Sequence, residues 1–151
     1  MKRILILNGP NLNMLGKREQ SIYGSNTLED LHAELQKVAN ERNVDLSFFQ
    51  SNHEGELIDK IHQAKDNYEG IIINPGAFTH YSYAICDAIS SVMIPLVEVH
   101  ISNIYKREEF RHHSVIAPVA IGQISGLGFY GYTAALLFFI NYLDKWSDIV
   151  E

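Results

Sequence analysis

Apolar residues in this chain fall into short unbroken runs divided by polar stretches: RILIL (3–7), LSFF (46–49), GIIIN (70–74), PLVEVH (95–100) and VIAPVAIGQI (115–124). Runs that are apolar at successive positions and bounded by turn residues predict strands buried on both faces, as in a covered parallel sheet. Between them the apolar period lengthens to that of a helix. Leu28, Leu31, Leu35 and Val38 predict a helix that begins at Asn26 or Thr27, with Glu29 and Asp30 in its first turn. A second helix is predicted from about Glu54, with Leu57, Ile58, Ile61 and Ala64 inward and capping-box spacing between Ser51 and Glu54. A third spans about 81–91 and a fourth about 132–146.

Strict alternation of strand and helix predicts one α/β domain over residues 1–151: a flavodoxin-like, doubly wound three-layer sandwich with a five-stranded parallel sheet. The last helix carries Leu136, Leu137, Phe138, Phe139 and Ile140 in succession, more apolar surface than a lone surface helix needs. Part of that surface is expected to meet another subunit.

Composition narrows the function. With 46% hydrophobic residues in 151, the chain can bury a core without disulfides or metal. A net charge of -6 argues against nucleic-acid and anionic-membrane partners, which favour a basic face. The longest wholly apolar run, Ala134 to Ile140, is far short of the roughly 20 residues that cross a bilayer. A single cysteine, Cys86, and a strand that starts almost at Met1 give a cytoplasmic expectation.

In an open parallel sheet, ligands bind beyond the carboxyl ends of the strands, and there the polar residues of this sequence collect. NGPNLN follows the first strand with Asn8, Asn11 and Asn13; NPGAFTH follows the third with Asn74 and His80; the fourth ends in Glu98, His100 and Ser102. Alternation along the fourth strand places Glu98 and His100 on one face, where a carboxylate can orient an imidazole and stabilise its charged form. Alone, such a pair reads as a satisfied structural contact, and NGP and NPG read as turns; their convergence on one edge favours a site.

Other motifs lead elsewhere. GLGFYG (126–131) follows a predicted strand and opens a helix, as a dinucleotide site does, but no further strand with an acidic residue follows it. No phosphate-binding GxxxxGK[ST] loop is present, and Asn8 and Asn74 stand where a phosphate-receiving regulator needs aspartates. The histidines have no ligand spacing, so no metal is expected. What remains is proton-transfer chemistry, from a histidine backed by a glutamate, several amides, and Tyr23 near Arg18 in the loop GKREQSIYGS. A tyrosine base lowered by ~3 pKa units requires ~4 kcal/mol of preferential phenolate stabilisation, part of which Arg18 can supply.

The segments NGPNLNMLGKRE…YG, QSNHEGELID, NPGAFTHYS, EVHISNIYKREEFRHHS and GLGFYGY, in this order and across essentially the whole chain, resemble the type II 3-dehydroquinate dehydratases, the cofactor-independent dehydroquinases of the shikimate pathway. The resemblance implies anti elimination of water from 3-dehydroquinate to 3-dehydroshikimate through an enolate or enol. Tyr23 would be the base, Arg18 would favour its phenolate, His100 would protonate the departing hydroxyl, Glu98 would hold and charge His100, and Asn11 would position a water or the developing enolate oxygen. Asn74, the backbone at Ile101 and Ser102, and the Ser102 hydroxyl would bind the substrate carboxylate, with His80 and Arg111 on ring hydroxyls.

No cofactor is implied. The family forms trimers grouped into dodecamers, with the position of Asp87 reaching a neighbour's site near His80, and residues 17–25 would form a lid. One departure is the stretch REQSIYG with Gln20, since members often carry proline in the loop between the arginine–glutamate pair and the tyrosine. The competing reading is a non-enzymatic flavodoxin-like module that binds flavin or nucleotide.

Overall fold

Successive residues of a strand point to opposite faces of its sheet, so a strand apolar at every position must be covered twice. The first strand, β1 (Lys2–Asn8), meets this condition: Ile4 and Ile6 enter one core and Leu5 and Leu7 the other. The computed structural model describes residues 1–17 and 19–145, and for Tyr23 the backbone only. Its other strands are β2 (Val44–Gln50), β3 (Gly70–Asn74), β4 (Leu96–His100) and β5 (Gly122–Ser125). All pair in parallel, in the order β2-β1-β3-β4-β5. That is the flavodoxin-like order, and its direction reverses between β1 and β3, which opens a crevice at their carboxyl ends.

The helices are α1 (Gln20–Tyr23), α2 (Leu28–Glu41), α3 (Glu54–Ala64), α4 (Tyr83–Val92) and α5 (Tyr130–Tyr142). One core joins α2 and α5 to Ile4, Ile6, Ile72, Val97 and Val99; the other joins α3 and α4 to Leu5, Leu7, Ile71, Ile73 and Leu96. With Val97, Val99 and Ile101 committed to the α2/α5 side, alternation turns Glu98 and His100 to the α3/α4 side. Helix α5 is apolar around most of its girth: Tyr132, Ala135, Leu136 and Phe139 are buried, while Leu137, Phe138 and Ile140 are half-buried. Phe139 sits so close to β3 that a Cβ on Gly70 would lie 2.8 Å from its ring. Trp146, in the predicted span of this helix, lies outside the described residues; a 3₁₀ turn, Leu143–Lys145, follows Tyr142.

Three local expectations are corrected. The run 115–124 is a strand only from Gly122, because Ala117–Val119 form a 3₁₀ turn in which the Val119 and Ala120 amides donate to the Ile116 carbonyl at 3.0 and 3.1 Å. Ahead of it the chain turns on Ser114, whose Oγ accepts from the amides of Ile116 at 3.1 Å and Ala117 at 2.9 Å. Ser51 and Glu54 form no capping box: His53 is the residue before α3, Ser51 Oγ donates to Glu56 at 2.6 Å, and Glu54 accepts instead from Ser82 at 2.5 Å. The third helix begins two residues later than predicted, at Tyr83, because Ser82 caps it by accepting from the Ile85 amide at 3.1 Å.

Helix α2 does have the reciprocal box, with Thr27 Oγ1 accepting from the Asp30 amide at 3.2 Å and Asp30 accepting from the Thr27 amide at 2.9 Å. Thr27→Ala is therefore expected to lower the unfolding free energy by about 1 kcal/mol, seen as a lower urea midpoint at unchanged slope.

Candidate active site

The turns after β1 and β3 interlock. A Cβ on Gly9 would lie 2.5 Å from the Pro75 carbonyl oxygen, and one on Gly76 would lie 3.0 Å from that of Pro10. NGP and NPG are thus two halves of one joint, closed by the Gly9 amide donating to the Asn74 carbonyl at 2.8 Å. Asn11 follows in the left-handed region, φ 70°, which asparagine tolerates better than most residues. Its amide donates to Asn52 Oδ1 at 2.9 Å.

At the end of β4 the Glu98 carboxylate is fully buried. It accepts from His100 Nε2 at 2.5 Å, from the Thr79 hydroxyl, and from Ser114 Oγ at 2.8 and 3.0 Å. Burial pushes this carboxyl up, but the hydrogen bond and charge of His100, with the two hydroxyls, outweigh it and hold the carboxyl below its ordinary 4.5. The contact to Glu98 places a proton on His100 Nε2, so Nδ1 is the ring nitrogen left for a ligand.

His100 faces a cavity of about 150 Å³ whose wall includes Asn11, Asn74, His80, Ile101, Ser102, Arg107 and Arg111. Seven of the residues singled out in the sequence therefore converge: Asn11, Asn74, His80, His100, Ile101, Ser102 and Arg111. His80 Nδ1 donates to the His113 carbonyl at 2.8 Å, and burial lowers its pKa against the opposing effect of that hydrogen bond. Neutral, with its proton on Nδ1, it presents Nε2 as an acceptor. Arg111 is steadied by Glu108 and lies 4.7 Å over the Phe110 ring.

Arg107, Thr79, Ser114 and Tyr132 were not singled out in the sequence. Arg107 donates to Ser102 Oγ at 3.4 Å and stands 3.9 Å from the Glu19 carboxylate. Its place among the charges of YKREEFR offered no period or pairing by which to prefer it. Thr79 and Ser114 could be found only by asking what satisfies a buried carboxylate.

GLGFYG braces the end of β4. The Gly126 amide donates to the His100 carbonyl at 3.2 Å and the Gly128 amide to the Ile101 carbonyl at 3.0 Å, so the glycines hold the end of β4. Gly126 has φ +93°, and a Cβ there would lie 3.0 Å from Asn103 Cβ.

The loop that carries Arg18 and Tyr23 has touching ends, since a Cβ on Gly16 would lie 2.7 Å from the Ser25 carbonyl oxygen. Gln20 is the first residue of α1, a position where proline is well tolerated, and its side chain donates to the Gly16 carbonyl at 2.9 Å. Arg18 and the Tyr23 side chain lie outside the described residues. Asp87 is exposed on α4 and does not line the cavity.

A flavodoxin-like sheet ends here in a buried carboxylate–imidazole pair facing a cavity lined by amides and guanidinium groups, an arrangement chemically equipped for acid–base work. Residues 2–140 match the family model described as Dehydroquinase class II. A 3-dehydroquinate dehydratase of Bacillus pumilus is 60% identical over 141 residues, covering 93% of this chain and 96% of that protein. One from Bacillus cereus is 62% identical over 136 residues, 90% of this chain and 93% of the relative. The crystal structure of a type II dehydroquinase from Butyrivibrio crossotus superposes with a TM-score of 0.90 at 52% identity, covering 93% of this chain and 97% of that one. The chain belongs to the class II dehydroquinase family, whose members are cofactor-independent lyases.

Because the folded Glu98 carboxyl binds its proton less readily than the unfolded one, its contribution to stability is complete above pH about 4.5 and is lost as pH falls below that value. Between pH 6 and 3 the urea midpoint of the wild type is therefore expected to fall more steeply than that of Glu98→Gln.

Proposed function

We propose that this chain dehydrates 3-dehydroquinate to 3-dehydroshikimate by acid–base catalysis, with Tyr23 as base and His100 as acid. The observation that carries this reading is the buried Glu98–His100 pair, which turns one imidazole nitrogen to a cavity lined by groups suited to a hydroxylated carboxylate. The loop from Gly16 to Ser25 is the lid that brings Arg18 and Tyr23 over that cavity.

The Tyr23 phenolate, favoured by Arg18, takes the proton from the carbon beside the ketone. The electron pair of that C–H bond passes to the ketone oxygen as an enolate, stabilised by Asn11. When the carbonyl re-forms, the electrons make the new C=C bond and expel the hydroxyl on the next carbon, which leaves as water with a proton from His100. Glu98 supports the imidazolium that this donation requires. Solvent exchange then returns one proton to His100 and removes one from Tyr23. Asn74, the backbone at Ile101 and Ser102, and the Ser102 hydroxyl hold the substrate carboxylate, while His80 and Arg111 meet ring hydroxyls.

The reading includes assembly into trimers grouped as a dodecamer in the cytoplasm, with the exposed Asp87 completing a neighbour's site near His80. The half-buried apolar residues of α5 support a subunit contact. A flavin- or nucleotide-binding module of the same fold is disfavoured because the glycine amides best placed for phosphate are engaged by β4.

The test is a rise in ultraviolet absorbance as the conjugated enone carboxylate forms from 3-dehydroquinate without added cofactor; no rise with folded protein overturns the reading. Tyr23→Phe and His100→Asn are each expected to lower kcat by about 10²–10⁴-fold, with substrate-analogue binding largely kept in the first.

A further inference from the structure

Tyr132 is fully buried on α5, and its phenol lies between two strand ends that face the crevice. Its hydroxyl donates to Asn8 Oδ1 at 2.6 Å and accepts from Asn74 Nδ2 at 2.9 Å, and Asn74 Oδ1 accepts from the Gly76 amide at 3.1 Å. A backbone N–H can only donate, so Gly76 fixes which end of the Asn74 amide is oxygen. The nitrogen end must then face Tyr132, whose single hydroxyl proton passes on to Asn8. The chain of bonds has one direction, set at one end by a backbone donor and at the other by Asn8.

That direction leaves the cavity a donor. Asn74 lines the cavity, and its Nδ2 carries a second hydrogen beyond the one given to Tyr132. The arrangement also leaves a buried donor, Asn8 Nδ2, without a hydrogen-bond partner. Turning the Asn8 amide would satisfy that atom but would put a second N–H on the Tyr132 oxygen and take from the hydroxyl proton its acceptor. Burial raises the Tyr132 pKa well beyond its usual value, so the phenol stays neutral and keeps the proton that gives the chain its direction.

We infer that Tyr132 is a positioning residue, which together with Asn8 holds the Asn74 amide so that it presents an N–H to the carboxylate of the bound substrate. This rests on the proposed assignment of Asn74 to that carboxylate. Because the contact exists in ground state and transition state alike, its loss raises KM and leaves kcat nearly unchanged.

The experiment is Tyr132→Phe, Asn74→Ala and the double variant, assayed with 3-dehydroquinate. Calorimetric titration with quinate runs alongside, since that cyclic carboxylate lacks the ketone and reports binding without turnover. Expected is a KM for Tyr132→Phe raised about tenfold, equivalent to ~1.4 kcal/mol, with kcat within about threefold, a parallel loss of quinate affinity, and no further loss when Tyr132→Phe is added to Asn74→Ala. Unchanged KM and quinate affinity in folded Tyr132→Phe overturn the inference, as does an effect that simply adds to that of Asn74→Ala. If Tyr132→Phe does not fold, Asn8→Ala, which frees the hydroxyl to turn, is expected to raise KM and weaken quinate in the same way; wild-type values there overturn it. Absence of wild-type turnover sinks the proposed reaction, while quinate binding still decides the role of Tyr132.

Discussion

A carboxylate taken out of water is strongly destabilising unless charge and hydrogen bonds replace its hydration. Glu98 is fully buried, and much of the carboxyl edge of the sheet is arranged around it. Three elements converge on its two oxygens: β4 itself through His100, the 3₁₀ turn Gly76–His80 through Thr79, and the turn leading into Ala117 through Ser114. Each supplies a donor that the carboxylate needs, and each is placed by the carboxylate in return. Thr79 and His80 are adjacent on one turn, so the residue that satisfies Glu98 also sets where His80 meets the cavity.

The remaining supports of the site follow the same logic of backbone groups fixing side chains. Gly126 and Gly128 hold the carbonyls of His100 and Ile101 from below, and Gly76 gives the Asn74 amide its orientation. Two interlocked turns, Gly9 against Pro75 and Gly76 against Pro10, bring the first and third strand ends close enough to share one cavity. The cavity-lining side chains Asn74, His80 and His100 are thereby placed by strand ends and the turns that lean on them.

The architecture was legible because both of its causes are local. Strands such as GIIIN are apolar at every position and admit only a doubly covered sheet, and Leu28, Leu31 and Leu35 mark a single helix face. Glu98 and His100 were readable as a pair for the same reason: a period of two needs no tertiary knowledge. The stretch 115–121 misled because Val115 and Ile116 are indeed buried, but as a turn that delivers Ser114 to Glu98, 16 positions away in sequence. Tyr132 was legible as core and not as a polar link, since Asn8 lies 124 residues from it. Capping was readable where one helix supplies both partners, as with Thr27 and Asp30, and misread at Glu54, whose partner Ser82 belongs to another helix.

If the buried carboxylate is what makes His100 an acid, removing its charge while keeping its shape should damage chemistry and spare binding. Steady-state dehydration of 3-dehydroquinate by folded Glu98→Gln measures this directly. The predicted result is a kcat lowered by about 10–100-fold with KM nearly unchanged. Wild-type kcat, or a loss confined to KM, would contradict the central role given to the Glu98–His100 pair.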